Sequence, residues 1–432
     1  MPDARDRAVS PPSVKPTGKL VIVMVGLPAR GKTFIARKVA RYLSWSGHPT
    51  RVFNVGAYRR ARLGSFQPHS FFDPGNAESE RARTEVARAA LRDLLAWLRG
   101  DGAQVGVYDA TNSTRERRAS VREECEKQGH QVVFIESICD DPEIIDANVR
   151  QTKLFSPDYV GVPADEAVKD FRQRIEHYAR AYESLEDGEG SFIKIIDVGR
   201  TVIAHLIDGY LPARLVFFLL NVHIEPRSIW LTRHGESEYN VTGRIGGDAC
   251  LSPRGLVYAE RLAETMKKRA GDAQVAVWTS TLRRTTETAD KLTPTPRAWR
   301  ALDEIDSGVC DGMTYKEIAA LFPSEYQARA ADKFRYRYPR GESYQDVIQR
   351  LEPVIFELER VKLPVLIIGH QAVLRALYAY MMDLPPDACP RIPLPLHTLI
   401  ELTPTAYGCD EERFELEPTP LDREGFGQGE KG

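Results

Sequence analysis

Gly26-Leu27-Pro28-Ala29-Arg30-Gly31-Lys32-Thr33 sets two glycines, a lysine and a hydroxyl side chain at the spacing G-x-x-x-x-G-K-[ST]. A loop of that kind wraps phosphates with main-chain N–H groups, reaches the β and γ phosphates with Lys32 and offers Thr33 to Mg²⁺. Two further stretches, Arg233-His234-Gly235-Glu236 and Ile368-Gly369-His370, each place an imidazole directly after an apolar run. With Arg233 and Arg284, two such imidazoles make a phosphoryl receptor that needs no metal: neutral His234 attacks phosphorus, and water then hydrolyses the phosphoramidate. The positive charges of Arg233, Arg284 and His370 are expected to hold the phosphoryl oxygens, and Gly235 to let them approach the backbone. Glu304, in Leu302-Asp303-Glu304-Ile305, has the character of a proton donor to the leaving alkoxide once burial and nearby phosphate raise its pKa.

Mg²⁺ at the glycine-rich loop calls for a carboxylate at a neighbouring strand end. Asp109, after the apolar run Gln104 to Tyr108, has that place. Asp109-Ala110-Thr111-Asn112 could cap the helix that follows instead, but the pairing with the glycine-rich loop favours the functional reading. Arg59 and Arg60 come after another strand, while Arg115, Arg117 and Arg118 open a helix; guanidinium groups so placed suit a phosphorylated acceptor.

These groups need a sheet to position them. Leu20 to Val25 is a continuous apolar run that reads as a buried parallel strand, and Phe34 to Trp45 after it has helical periodicity. Strands are expected at Arg51 to Val55, Gln104 to Tyr108, Gln131 to Glu136 and Phe192 to Val198. Helices are expected at Ala77 to Arg99, Thr114 to Gln128, Pro142 to Leu154 and Ala164 to Leu185. That alternation predicts an α/β fold with a parallel sheet. A break near Asn221 to Arg227 opens a second α/β domain. Its strands are expected at Ser228 to Thr232, Gln274 to Thr279 and Val365 to Ile368, and its helices at Pro253 to Arg269, Leu282 to Leu292, Tyr315 to Ala331, Tyr344 to Arg360 and Gln371 to Met382.

At 432 residues the chain exceeds one hydrophobic core. The expected division is a disordered arm at 1–18, domains at 19–225 and 226–416, and a disordered tail at 417–432. A net charge of −2 argues against a nucleic-acid binder. The longest apolar stretch near the middle, Leu215 to Leu220, is far short of the roughly 20 residues that span a bilayer. Six scattered cysteines with no C-x-x-C pair suggest free thiols, so a cytoplasmic protein is expected.

From Lys19 to about Tyr407 the chain resembles the bifunctional 6-phosphofructo-2-kinase/fructose-2,6-bisphosphatase family, which makes and degrades the regulator fructose 2,6-bisphosphate. The resemblance is carried by the glycine-rich loop, Asp109-Ala110-Thr111-Asn112, Ser156-Pro157-Asp158-Tyr159, Arg233-His234-Gly235-Glu236-Ser237-Glu238 and Gly341-Glu342-Ser343-Tyr344. It implies a P-loop kinase domain using ATP with Mg²⁺, the metal held by Thr33 and Asp109 partly through water. It also implies nucleotide contacts from Gly26, Leu27, Pro28, Ala29, Arg30, Gly31, Lys32, Thr33, Phe34 and Asn148. Fructose 6-phosphate contacts would come from Arg59, Arg83, Thr111, Arg117, Lys153, Arg174 and Tyr178, with Lys32, Asp109, Cys139 and Lys153 in the kinase catalytic site. A cysteine after an apolar strand is commonly just packed, and Lys32 and Lys153 are better suited to stabilise charge.

The second half would then have the histidine phosphatase and phosphoglycerate mutase fold, with no metal. There the resemblance makes His234 the nucleophile and Glu304 the proton donor, and puts Arg233, Asn240, Arg284 and His370 around the phosphoryl group. Gly246, Tyr315, Arg329, Lys333, Tyr344, Gln371 and Arg375 match sugar-bisphosphate contacts. A homodimer is implied as well. Departures are mild: Gly369 stands for a cysteine, Phe34 for a tyrosine and Ser113 for a threonine.

Overall fold

Six consecutive apolar residues, Leu20–Val25, form strand β1 and are buried along their whole length, because the sheet they join is covered on both faces. The computed structural model describes residues 18–150, 157–222, 227–405 and 408–416. The chain divides into two compact units, Met1–Ala40 with His48–Leu219 and Arg41–Gly47 with Leu220–Gly432.

In the first unit β1 is followed by helix α1 (Lys32–Trp45), whose residues from Arg41 on are grouped with the second unit, and β2 (Thr50–Asn54) leads into α2 (Val55–Leu63). The long helix α3 (Ala77–Leu98) precedes β3 (Val105–Asp109), α4 (Arg115–Glu126) and β4 (Gln131–Ile138). Then come α5 (Pro142–Asn148), α6 (Ala164–Ala179), β5 (Phe192–Ile196), β6 (Thr201–His205) and α7 (Tyr210–Leu219). The strand order is β2-β3-β1-β4-β5-β6, parallel except for β6 at the edge. Since β1 has β3 on one side and β4 on the other, crossovers diverge there and a crevice opens beyond its carboxyl end. Val21, Val23, Leu94, Leu98 and Phe134 pack the layer beneath.

The second unit carries β7 (Ile229–Arg233), α8 (Glu238–Thr242), α9 (Pro253–Ala270), β8 (Ala276–Thr279), α10 (Arg283–Ala289) and a short β9 (Arg297–Ala298). After α11 (Tyr315–Leu321), α12 (Pro323–Ala331) and α13 (Tyr344–Arg360) come β10 (Val365–Gly369), α14 (Gln371–Met381), β11 (Thr398–Pro404) and β12 (Cys409–Glu415). The order is β12-β11-β7-β10-β8-β9, with β10 at the centre and wholly buried. β7 and β10 run parallel in the register Gly369↔Arg233, so the residues after each emerge side by side.

Several expected elements differ. The helix expected at Tyr315 to Ala331 is two helices, because Pro323 has no N–H to continue the first. The helix expected to reach Leu185 stops at Ala179, where the chain turns so that Tyr182, the Ser184 hydroxyl (3.0 Å) and Leu185 N (3.2 Å) all donate to the buried carboxylate of Glu136. Strands β6, β9, β11 and β12 and helices α2, α7 and α8 were not expected. The arm, the tail, Pro226, and Lys153 and Ser156 lie outside the described residues. All six cysteines are free, and among the described residues no helix is long and apolar enough to cross a membrane.

Candidate active sites

Beyond β1, Gly26, Ala29 and Gly31 take φ values of 133°, 60° and 79°, a curl that turns successive N–H groups toward a common point. Ala29 is strained there at a cost of about 1–2 kcal/mol. It is held by Asn148, whose Nδ2 donates to Ala29 O at 3.1 Å, and by packing against Val149, Tyr159 and Phe171. Lys32 folds back over the loop, its Nζ donating to Leu27 O at 2.6 Å. The Ser137 hydroxyl on β4 fastens the Arg30 carbonyl from below.

Asp109 ends β3, next to β1 in the sheet, and is 2% exposed, with Asn54 Nδ2 donating to its Oδ2. Helix α4 is capped by Thr114, whose side chain accepts from Arg117 N at 3.3 Å, so Asp109 is not the cap. The Thr33 hydroxyl and the Asp109 carboxylate are hard oxygen donors of the kind Mg²⁺ takes when phosphates complete its shell, and the donor set fits that ion.

Beside them lies an excess of cations. Asp158 is flanked by Arg59 at 2.5 Å, Arg60 at 3.6 Å and Arg174 at 3.8 Å. Burial alone would raise its pKa, but the hydrogen bond and charge of Arg59, with Arg174 and Arg60, hold it below the usual range. Three guanidiniums against one carboxylate leave a net +2. Arg59 Nη1 is buried with no partner among the described residues. Both guanidiniums lie against Phe72, 2% exposed, with that of Arg174 3.5 Å from its ring centroid and that of Arg59 5.5 Å. Tyr178 stacks at a tilt on Phe72, 5.9 Å away. Burial lowers the pKa values of Arg83 and Arg174, the mark of guanidiniums short of counter-charge. Arg117 donates from Nε to Asn112 Oδ1 at 3.3 Å. Arg118 behaves differently: fully buried and paired bidentately with Glu189 at 2.6 and 2.7 Å, it is a structural strut rather than part of the acceptor site. Arg115 is an exposed partner of Glu186.

In the second unit the β7–β10 register brings the two imidazoles together, with ring centroids 5.1 Å apart. His234 Nδ1 lies 2.7 Å from Gly235 O, which can only accept, so the proton is on Nδ1 and Nε2 holds the lone pair. Burial, then Arg284 and Arg233, push the His234 pKa well below 6.5, which favours a neutral imidazole. Arg284 Nε donates to that Nε2 at 3.2 Å and Arg284 Nη1 to Gly247 O at 2.7 Å. His370 is also pushed well below 6.5, by burial and Arg284 first, so the resting site does not hold it as the cation expected from sequence. Its Nε2 meets the Ser280 hydroxyl at 2.7 Å, and its Nδ1 is buried without a partner among the described residues. Arg233, lowered to about 10 chiefly by burial, likewise has an unpartnered Nε.

Glu304 Oε1 accepts from Ile305 N at 2.9 Å and from Ala372 N, at the start of α14, at 3.3 Å. Two backbone N–H groups thus hold Oε1, and none of these bonds goes to Oε2. Further out, burial and then Arg329 and Arg375 lower Lys333 to about 8. Arg329 Nη2 donates to Tyr315 OH at 2.8 Å and Arg375 Nη1 to Tyr344 OH at 3.2 Å, which fixes two of these three cations.

The family described as 6-phosphofructo-2-kinase matches residues 10–226, and the histidine phosphatase superfamily (branch 1) matches residues 229–416. The 6-phosphofructo-2-kinase/fructose-2,6-bisphosphatase of Gallus gallus is 51% identical over 399 residues, 92% of this chain and 84% of its own. This chain belongs to the 6-phosphofructo-2-kinase/fructose-2,6-bisphosphatase family. A Homo sapiens relative, 6-phosphofructo-2-kinase/fructose-2,6-bisphosphatase 4, is also 51% identical over 92% of the chain and 85% of its own length. One from Arabidopsis thaliana is 52% identical over 92% of this chain and 54% of its own.

Membership makes the chain a bifunctional enzyme with a kinase half and a histidine phosphatase half, and several expected residues acquire particular places in it. Asn148 meets the loop rather than open space. Cys139 is 4% exposed, and burial pushes its thiol pKa up, so it is a packed side chain beside the loop. Gly235 is glycine for packing: a Cβ would lie 2.5 Å from Gly255 O, and its N–H already donates to Thr288 Oγ1 at 3.0 Å. Gly246, at φ 71°, leaves room for Asp311, whose Oδ1 a Cβ would meet at 1.7 Å. Asn240 Oδ1 completes the capping box of α8 by accepting from Ser237 N at 3.0 Å. Thr111, whose carbonyl accepts from Gly26 N at 3.0 Å, stands at the loop. Phe34 lies beneath Lys38, 5.0 Å from ring centroid to Nζ. Gln371 opens α14 directly after His370. Sequence reasoning missed Phe72, Ser280 and the hub role of Asp158; only the Asp158 motif was visible beforehand.

Proposed function

We propose that the first half, 19–225, transfers the γ-phosphoryl group of ATP to O2 of fructose 6-phosphate, and that the second, 226–416, returns fructose 2,6-bisphosphate to fructose 6-phosphate and phosphate. In the kinase half the curled loop binds the triphosphate, Lys32 swings from Leu27 O to the β and γ phosphates, and Thr33 and Asp109 hold Mg²⁺. When bound, Mg²⁺ neutralises charge on those phosphates. Arg59 and Arg174, with Arg83, Arg117, Thr111 and Tyr178, take the 6-phosphate and orient the sugar. The net +2 around Asp158 matches a phosphate dianion. Catalysis is by positioning and charge, and Cys139 acts through packing.

In the phosphatase half, His234 Nε2 attacks the 2-phosphoryl phosphorus as the P–O2 bond breaks, and Glu304 Oε2 gives its proton to the departing O2. Arg233, Arg284, Asn240 and His370 hold the phosphoryl oxygens, with Arg284 moving off Nε2 to admit them. Water then attacks phosphorus, the P–N bond breaks, Glu304 takes the water proton, and inorganic phosphate leaves. Lys333, Arg329 and Arg375, with Gly246, Tyr315, Tyr344 and Gln371, receive the rest of the substrate.

The reading rests above all on His234 and His370 meeting at 5.1 Å on paired strands, in a chain that also carries a phosphate loop with Lys32 folded over it. Lys32→Met should abolish the kinase reaction and spare the phosphatase, and His234→Ala should do the reverse; loss of both activities in either variant would refute the division. We further propose a cytoplasmic homodimer. The free cysteines support the compartment, and edge strand β6 supports the dimer, since Ile203 (45%) on it and Leu206 (66%) just after it are exposed.

A further inference from the structure

Glu304 sits on a stretch without regular secondary structure, yet proton transfer tolerates little error in its position. One side chain from a rigid helix fixes that stretch. Arg350 of α13 donates from Nη1 to Ala301 O at 2.5 Å, and from Nη2 to Asp303 O at 2.7 Å and Glu304 O at 3.2 Å. Its Nε and Nη2 also grip Glu342, at 2.7 Å to Oε1 and 3.1 Å to Oε2. Glu342 in turn accepts from Asp306 N at Oε2 (3.1 Å) and donates its own N–H to Asp306 O (2.9 Å). Residues 301, 303, 304 and 306 are thus tied to one guanidinium–carboxylate pair.

The surrounding sequence is built for this clamp. Gly341 passes so close to the loop that a Cβ would meet Asp306 O at 2.3 Å. Ser343 caps α13 through a capping box with Asp346, which fixes the helix carrying Arg350. Ala372 N, holding Glu304 Oε1, supplies the other fixed point. A planar fork reaches three carbonyls and both oxygens of a carboxylate at once, with one Nη2 N–H shared between acceptors, whereas an ammonium has three N–H groups on one atom and cannot span them.

We infer that Arg350, acting with Glu342, is a positioning residue that holds Glu304 in register for transfer of its proton to the leaving O2. The inference rests on the reading of Glu304 as that proton donor. It predicts a dependence on the leaving group that a merely structural role would not produce. Fructose O2 departs as a basic alkoxide and needs the proton, whereas 2,4-dinitrophenolate leaves without one.

The experiment follows phosphoenzyme formation in the full-length protein before steady state, with fructose 2,6-bisphosphate and with 2,4-dinitrophenyl phosphate. Arg350→Lys and Glu342→Gln are compared with wild type and with Glu304→Gln. Phosphorylation by the sugar bisphosphate should slow about 10–100-fold in both clamp variants, and phosphorylation by the aryl ester less than about 3-fold. An equal loss on both substrates, or none on either, overturns the inference. If Glu304→Gln itself leaves the sugar reaction intact, it is the assignment of Glu304 that fails. Glu342→Gln keeps the test valid should Arg350→Lys fold poorly.

Discussion

Asp158→Asn isolates the charge balance of the kinase half. In the resting protein its carboxylate, 7% exposed, faces Arg59 at 2.5 Å and two more guanidiniums within 4 Å. At an effective dielectric of about 20, one unit pair 4 Å apart is worth about 4 kcal/mol. Removing one partner of a buried pair costs about 3–5 kcal/mol, because the other is left uncompensated. Since Arg60 is partly solvated, we take about 3 kcal/mol. For a unit of this size that lowers the melting temperature by about 6–12 °C. The same change raises the net charge of the cluster from +2 to +3, so a phosphate dianion should restore more stability to the variant than to wild type. The assay is differential scanning calorimetry with and without fructose 6-phosphate, reading the transition that a non-hydrolysable ATP analogue also shifts. A drop under about 2 °C, or the same drop at saturating fructose 6-phosphate, would refute the view that Asp158 balances a phosphate-receiving cluster.

Lys333, at about 8, is charged below that pH and neutral above it. Accordingly kcat/KM for fructose 2,6-bisphosphate should fall as pH rises through about 8, and Lys333→Arg should remove that limb; an unchanged limb in the variant contradicts the assignment. Cys139→Ser should keep kinase kcat within about 3-fold, because burial keeps the thiol protonated. A loss beyond about 10²-fold would restore a direct chemical role.

The phosphate loop, Asp109 and the two histidines were legible because each ends or follows a largely apolar strand, and a parallel sheet aligns strand ends without further instruction. What the sequence left open was settled by tertiary partners. Arg118 looks like its neighbours until Glu189, 71 residues away, is seen to claim it. The charge state of His370 depends on burial and Arg284, and Phe72 gained its role only from the two arginines that pack near its ring. Strand β12, CDEERFE, shows neither an apolar run nor a clean alternation, since only its pairing with β11 makes it a strand. Cys139 and Asn148 were named by resemblance, and their surroundings show packing and loop support.

The most direct test follows label from γ-³²P-ATP through the purified chain in the presence of fructose 6-phosphate. Radioactivity should pass into fructose 2,6-bisphosphate, then into acid-labile phosphate on the protein, and finally into inorganic phosphate. In His234→Ala it should stop at the sugar. If labelled sugar is hydrolysed by that variant at the wild-type rate, or if no label ever reaches the sugar, the account of two opposed phosphoryl receptors in one chain is wrong.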